Sequence, residues 1–159
     1  MDYYEEIIEK LLAGDVQTKD GIQKLKLKLC KKHRMEKLPS NAEILAHVSE
    51  EDIDRLEPLL RTKPVRTISG VAVVAVMTSP HDCPHGKCRY CPGGVVNGTA
   101  QSYTGREPAA LRAARWDFNP YDQVKSRIEQ LEAIGHPTDK VDLIIMGGTF
   151  TAREPEFQE

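Results

Sequence analysis

The sequence predicts an α/β protein in two parts, an all-helical module over residues 1–62 followed from residue 63 by the first βα units of a parallel sheet. Three observations predict it. Helix-period apolar residues and capping patterns fill residues 1–62 without a β-branched run. Val71-Ala-Val-Val-Ala-Val-Met77 and Val141-Asp-Leu-Ile-Ile-Met146 are short β-rich runs of the kind that sit buried on both faces of a parallel sheet. Between them lie a Pro/Gly-rich loop and helix start signals, the order of a βαβ unit, whose crossover is expected to be right-handed.

The elements follow in order. Tyr4, Ile7, Ile8, Leu11 and Leu12 have helical spacing over 2–13, with Gly14-Asp15 as a stop. Ile22-Gln-Lys-Leu-Lys-Leu-Lys-Leu29 alternates like a strand but is rich in the helix formers Leu and Lys; its helical neighbours decide for helix. Ser40-Asn-Ala-Glu43 is a capping-box pattern and Ser49-Glu-Glu-Asp52 a second start signal, giving two short helices, the latter ending near Pro58. Lys63-Pro64 breaks the chain before the first strand. Residues 78–105 form a loop rich in Pro, Gly, Cys, Ser and Thr. A helix starts near Thr104–Pro108 and runs to about Arg115, its start marked twice, by Thr104-x-x-Glu107 and by Pro108. Asn119-Pro120 opens the next helix, with Val124, Ile128, Leu131 and Ile134 as one stripe and Gly135 closing it. One parallel strand pair cannot cover its own faces, so the chain reads as the front part of a longer protein.

The chain of 159 residues is 40% hydrophobic and 29% charged, an ordinary globular composition that excludes disorder and coiled coil. Its longest apolar run, Val71–Met77, is far short of the about 18 residues of a spanning helix. The acidic start is unlike an export signal, so a cytoplasmic protein is expected, with no membrane partner. Charge is distributed in blocks. Residues 19–37 carry eight Lys and Arg against two acids, between acidic stretches at 1–18 and 42–60, and 61–80 carries three bases and no acid. Such asymmetry suits either a polyanion-binding stripe or a solvated helix face.

Cys30 stands alone, while Cys83, Cys88 and Cys91 fall within nine residues. An odd, clustered set without an export signal is not a disulfide framework. Cys30 reads as a small packing residue. Cys83-Pro-His-Gly-Lys-Cys88-Arg-Tyr-Cys91 offers three thiolates at the short spacings of iron–sulfur ligation, and three ligands for four irons leave one iron open. A Cys3His zinc site with His81 or His85 as fourth ligand is the alternative.

These residues carry a resemblance. Cys83–Gly94, with Gln101-Ser-Tyr-Thr-Gly105, Arg127-Ile-Glu-Gln-Leu131, Gly135-His136, Asp139-Lys140 and Met146-Gly-Gly-Thr-Phe150, resembles the catalytic subunit family of Elongator across residues 63–159. The compact cysteine loop is closer to its archaeal and bacterial members. The resemblance implies a radical S-adenosylmethionine enzyme with a (β/α) barrel, fused in its complete form to an acetyltransferase domain and adding a carboxymethyl-type group to C5 of the wobble uridine of tRNA. It implies that Cys83, Cys88 and Cys91 hold a [4Fe–4S] cluster, whose open iron takes S-adenosylmethionine. Tyr90 fills the aromatic position near the adenine, Gly147 and Gly148 lie near the methionine moiety, and Lys140 aligns with a lysine that contacts acetyl-CoA. The cysteines are spaced four then two apart, where the superfamily most often has three then two; the Elongator family itself varies the first gap. In the family the N-terminal module contributes to tRNA binding, which assigns Lys19, Lys24, Lys26, Lys28, Lys31, Lys32, Arg34 and Lys37 to RNA phosphates. That basic stretch has no aromatics to stack on bases. No catalytic residue is assigned. A homodimer and Elongator-type subunits both remain open as assemblies, and the rival readings are a zinc-stabilised RNA-binding module and a different radical S-adenosylmethionine enzyme, against which the Gln101–Gly105 block argues.

Overall fold

The computed structural model describes residues 1–159, which divide into two compact units. The first comprises Met1–Gly70 with Gln130–Thr138, and the second Val71–Glu129 with Asp139–Glu159.

The first unit is helical. Helix α1 (Tyr3–Leu12) opens on a capping box in which Asp2 accepts from the Glu5 N–H and the Glu5 carboxylate reaches back to the Asp2 N–H, a pattern present in the sequence but not read from it. Helix α2 (Lys19–Lys32) is capped by the Thr18 hydroxyl. The helical reading of this ambiguous segment holds because burial follows a 3.6-residue period: Ile22, Lys26 and Leu29 are buried while Leu27, which strand alternation would bury beside Leu25 and Leu29, is 46% exposed. Helix α3 (Asn41–Leu45) has the expected Ser40/Glu43 capping box with both bonds made. Helix α4 (Ile53–Leu60) begins later than its Ser49 signal, because the Ser49 hydroxyl instead donates to Asp52 in a preceding turn at 3.0 Å. The helix takes Pro58 into its interior and ends at Leu60, near the expected end, rather than stopping at the proline. The proline forfeits one hydrogen bond, whereas ending there would unseat Leu60, which is fully buried. Ile7, Leu29, Ile44, Leu56 and Leu60 form the centre of the core.

The carboxylate of Glu6 and the ammonium of Lys26 both enter this interior. Glu6 accepts 2.7 Å bonds from Lys32 Nζ and pairs with His33 Nε2 at the same distance. Those hydrogen bonds, against the opposing effect of burial, pull its carboxyl down to about 2. Lys26 Nζ donates to Asn41 Oδ1 at 2.9 Å, and Asn41 Nδ2 donates to the Leu60 carbonyl at 2.9 Å, so one amide joins three helices. Burial lowers the Lys26 ammonium from its ordinary value.

In the second unit β1 (Ala72–Met77) pairs in parallel with β2 (Val141–Met146), in register from Ala72↔Val141 to Met77↔Met146, as the βαβ reading requires. The expected two-sided burial does not hold. Strand β1 buries Ala72, Val74, Val76 and Met77 but leaves Val73 half exposed, and in β2 Val141, Leu143, Ile144 and Ile145 are all exposed. The sheet has two strands, so β2 has a ladder partner on one side only. Helix α5 (Pro108–Arg115) packs on β1 and starts at Pro108; Thr104 and Glu107 bond each other in the turn before it. Helix α6 (Pro120–Ala133) follows Asn119, whose side chain accepts from the Asp122 N–H. On this helix buried Gln123 mimics a strand, accepting from the Met77 N–H and donating to the Met77 carbonyl, both at 3.0 Å. A last short helix, α7, covers Pro155–Gln158.

Candidate functional site

Parallel pairing makes both strands end at one edge of the sheet. Because Met77 is level with Met146, the next residues leave together, Thr78 N–H bonding the Met146 carbonyl at 2.9 Å. The cysteine loop departs from β1 and the glycine pair from β2, the end of a parallel sheet at which α/β folds bind ligands.

The glycines are required there. Gly147 has φ +145°, and a Cβ on it would collide with Thr78 Oγ1. At Gly148 a Cβ would stand 2.9 Å from Cys83 Sγ and 3.0 Å from Gln101 Cβ. The Thr149 hydroxyl donates to Cys83 Sγ at 3.9 Å. The loop itself folds through two tight turns, Gly86 N–H to the Cys83 carbonyl and Cys91 N–H to the Cys88 carbonyl, both 2.9 Å. His85 Nε2 lies 3.2 Å from Cys88 Sγ. Cys91 Sγ donates to Gln101 Oε1 at 3.5 Å, and Gln101 Nε2 donates to Asp82 Oδ1 at 3.4 Å.

Gln101 is thus the residue that sequence reasoning missed as part of the site. Buried at 6% exposure, it bonds the start and the end of the cysteine loop and packs against Gly148. Its signal was a long polar side chain within a block of small and hydroxyl residues. Gly94 explains a further constraint: with φ +60° it lies so close to the Gln101 backbone that a Cβ would reach its Cα at 2.5 Å.

Cys83, Cys88 and Cys91 are half-buried free thiols. The Cys91 thiol is lowered from its ordinary range, first by the Gly93 and Ser102 N–H groups and, after burial's opposing effect, by the charge of Lys87. The structure places the three on one loop without drawing three sulfur, imidazole or carboxylate donors into a converged set. Three thiols on one loop, with a glycine that leaves no room for a Cβ beside Cys83, are the donor type that holds an iron–sulfur cluster. Tyr90 is 90% exposed, and the Lys140 side chain is exposed while its carbonyl accepts from Ala72. Beside the glycine pair a recess of about 10 Å³, room for one water, is lined by Thr78, Ser79, Gln101, Gly148 and Arg153. Cys30, half-buried, packs against the core of the helical unit as expected.

The basic stretch separates into two groups. Lys24, Lys28 and Lys31 stand at i, i+4 and i+7 on one exposed face of α2, and Lys19, Arg34 and Lys37 are exposed as well. Lys26, expected with them at RNA phosphates, is 5% exposed and bound to Asn41, so it is not on that surface; the helical period that exposes Lys24 and Lys28 turns Lys26 into the core. Lys32 keeps an exposed stem but its ammonium is held by Glu6.

Residues 1–68 match the ELP3 N-terminal domain. Over 159 aligned residues the chain is 55% identical to the tRNA uridine(34) acetyltransferase of Methanocaldococcus jannaschii, covering 98% of this chain and 29% of that protein. The chain carries an ELP3 N-terminal domain and is similar over nearly its whole length to Elongator complex protein 3. Identity to the Elongator complex protein 3 of Schizosaccharomyces pombe is 45%, covering 91% of this chain and 29% of that one, and to the human protein 42%, covering 97% and 30%. The chain spans about 30% of the length of the relatives it matches. No helix is long and apolar enough to cross a membrane.

Proposed function

We propose that this chain supplies the RNA-facing module and the cluster-bearing loop of a cytoplasmic tRNA-modifying enzyme of the radical S-adenosylmethionine type, which uses acetyl-CoA to place a carboxymethyl-type group on C5 of the wobble uridine. The observation that carries the reading is Gly148 against Cys83, a cysteine loop and a glycine pair meeting where two parallel strands end. The names of the archaeal relatives, tRNA uridine(34) acetyltransferase, support the substrate and the transferred group. The parallel pair then opens a (β/α) barrel.

Cys83, Cys88 and Cys91 would hold a [4Fe–4S] cluster. A cluster held there would supply one-electron chemistry toward S-adenosylmethionine, its electron drawn from an external reductant. The protein's part is placement. Gly147 and Gly148 leave main chain exposed to the methionine end of that cofactor, with no Cβ between. Gln101 anchors the start of the loop through Asp82 and packs against Gly148; its bond from the Cys91 thiol belongs to the protonated form and would be given up when that sulfur binds iron. The exposed Tyr90 ring is available to cover the adenine, and Lys140 to meet acetyl-CoA. On the helical unit Lys24, Lys28 and Lys31, with Lys19, Arg34 and Lys37, meet RNA phosphates and give sequence-blind, salt-dependent affinity.

A second reading, a Cys3His zinc site in a non-enzymatic RNA-binding module, is favoured by the 3.2 Å approach of His85 to Cys88. Anaerobic reconstitution of the chain with iron and sulfide, followed by metal and sulfide analysis and electron paramagnetic resonance of the reduced protein, separates the two. Iron with equal sulfide and a spectrum perturbed by S-adenosylmethionine is expected; one tightly held zinc that iron does not displace overturns the proposal.

A further inference from the structure

The bases at 61–80 belong to none of the features above, yet the fold brings two of them to the first lysine of α2. Between the start of α2 and the end of α4 lies a recess of about 210 Å³, lined among others by Lys19, Gln23, Asn41, Arg61, Thr62 and Lys63. No carboxylate lines it. Arg61 uses Nη2 on Glu57, at 3.3 Å, but its Nε is buried without an acceptor. A buried N–H without a partner is rare and costly in native proteins. The Asn41 carboxamide does not serve it, being committed to Lys26 and to the Leu60 carbonyl. Lys63, a non-glycine residue, sits in the left-handed region at φ 56°, a strained backbone of the kind found at ligand clamps.

Three cations at the rim, an orphaned guanidinium N–H and no lining acid describe a place for an anion. Its volume lies below the about 300 Å³ at which small-molecule pockets begin, which suits one charged group rather than a whole nucleotide. We propose that this recess takes a single phosphate group, with Arg61 Nε–H and the ammonium groups of Lys19 and Lys63 as donors. The source of that phosphate rests on the RNA-binding reading: a phosphodiester of bound tRNA, as against the phosphate of a free nucleotide. The site would extend the RNA face from the middle of α2 to its start and on to the end of α4.

The test is the Arg61 Nε–H resonance of the 159-residue chain in nitrogen-15 spectra, followed first with inorganic phosphate and then with a tRNA transcript. Both are expected to shift it. Lys19→Gln with Lys63→Gln, two exposed positions checked for folding by circular dichroism, should abolish the phosphate-induced shift. The same pair should lower the salt slope of transcript binding by about 1 for each cation removed. A shift with phosphate but none with transcript supports the site and assigns it to a free phosphate compound. A resonance moved by neither, in a chain that still binds transcript, overturns the site and leaves the RNA-binding reading intact. A chain that binds no transcript defeats that reading, and the phosphate arm then decides the site by itself.

Discussion

Gly148 faces Cys83 so closely that a Cβ added to it would stand 2.9 Å from the sulfur. The pair links the two segments that leave the parallel strands, so backbone space at residue 148 and sulfur position at residue 83 are one constraint. Gly148→Ala must therefore push either Cys83 or Gln101 aside. Stability is expected to fall by about 1–3 kcal/mol from overpacking. Iron retained after anaerobic reconstitution should fall well below that of the parent chain. Iron content and urea denaturation measured on the same preparation check both; unchanged iron would mean that the glycine does not set the sulfur.

Gln123 offers a test of the scaffold alone. Its amide satisfies both main-chain groups of Met77 from a helix. Gln123→Leu keeps much of the volume but strands a buried N–H and a buried carbonyl, for an expected loss of about 2–4 kcal/mol. Gln123→Glu should also destabilise, because the carboxylate lacks the donor for the Met77 carbonyl. Denaturant midpoints of the two variants measure this.

Acid stability should report on Glu6. Its folded value of about 2 lies below the ordinary 4.5, so the carboxylate stabilises the fold fully above the ordinary value. That contribution is lost as pH falls toward 2. Glu6→Gln is expected to lower stability at neutral pH and to flatten the acid limb of the stability profile within that window, as read from thermal melts across pH. A parallel, merely shifted profile would show that Lys32 and His33 do not hold the charge.

Lys26 and Lys28 should behave as opposites despite being two residues apart. Lys28→Glu, with Lys24→Glu, should weaken tRNA binding and flatten its salt dependence without altering stability. Lys26→Ala leaves Asn41 Oδ1 unpaired and should destabilise by about 1–3 kcal/mol while leaving the salt slope unchanged. Filter binding over a salt series, beside denaturation curves, distinguishes the two roles.

Much of this was legible in the sequence because it is local. The Ser40/Glu43 box, Pro108 and Asn119-Pro120 each fix a helix start through neighbours three or four residues away, and two β-rich runs sufficed for the parallel pair. What was hidden depends on partners distant in sequence. Nothing near Lys26 announces Asn41, and nothing near Gln101 announces that Asp82 and Cys91 will bracket it. The exposure of β2 escaped for a related reason: an apolar run signals that a strand can be buried, while burial itself needs a neighbour on each face. Pro58 shows the converse, a local stop signal overridden by the buried Leu60.

The most direct measurement is iron and acid-labile sulfide per chain after anoxic reconstitution, made on the parent and on Cys83→Ser, Cys88→Ser and Cys91→Ser separately. A brown parent whose reduced spectrum responds to S-adenosylmethionine, with each substitution stripping the cluster, is the predicted result. A colourless parent, or full iron retained after any one of the three substitutions, would contradict the assignment of these sulfurs as the ligands.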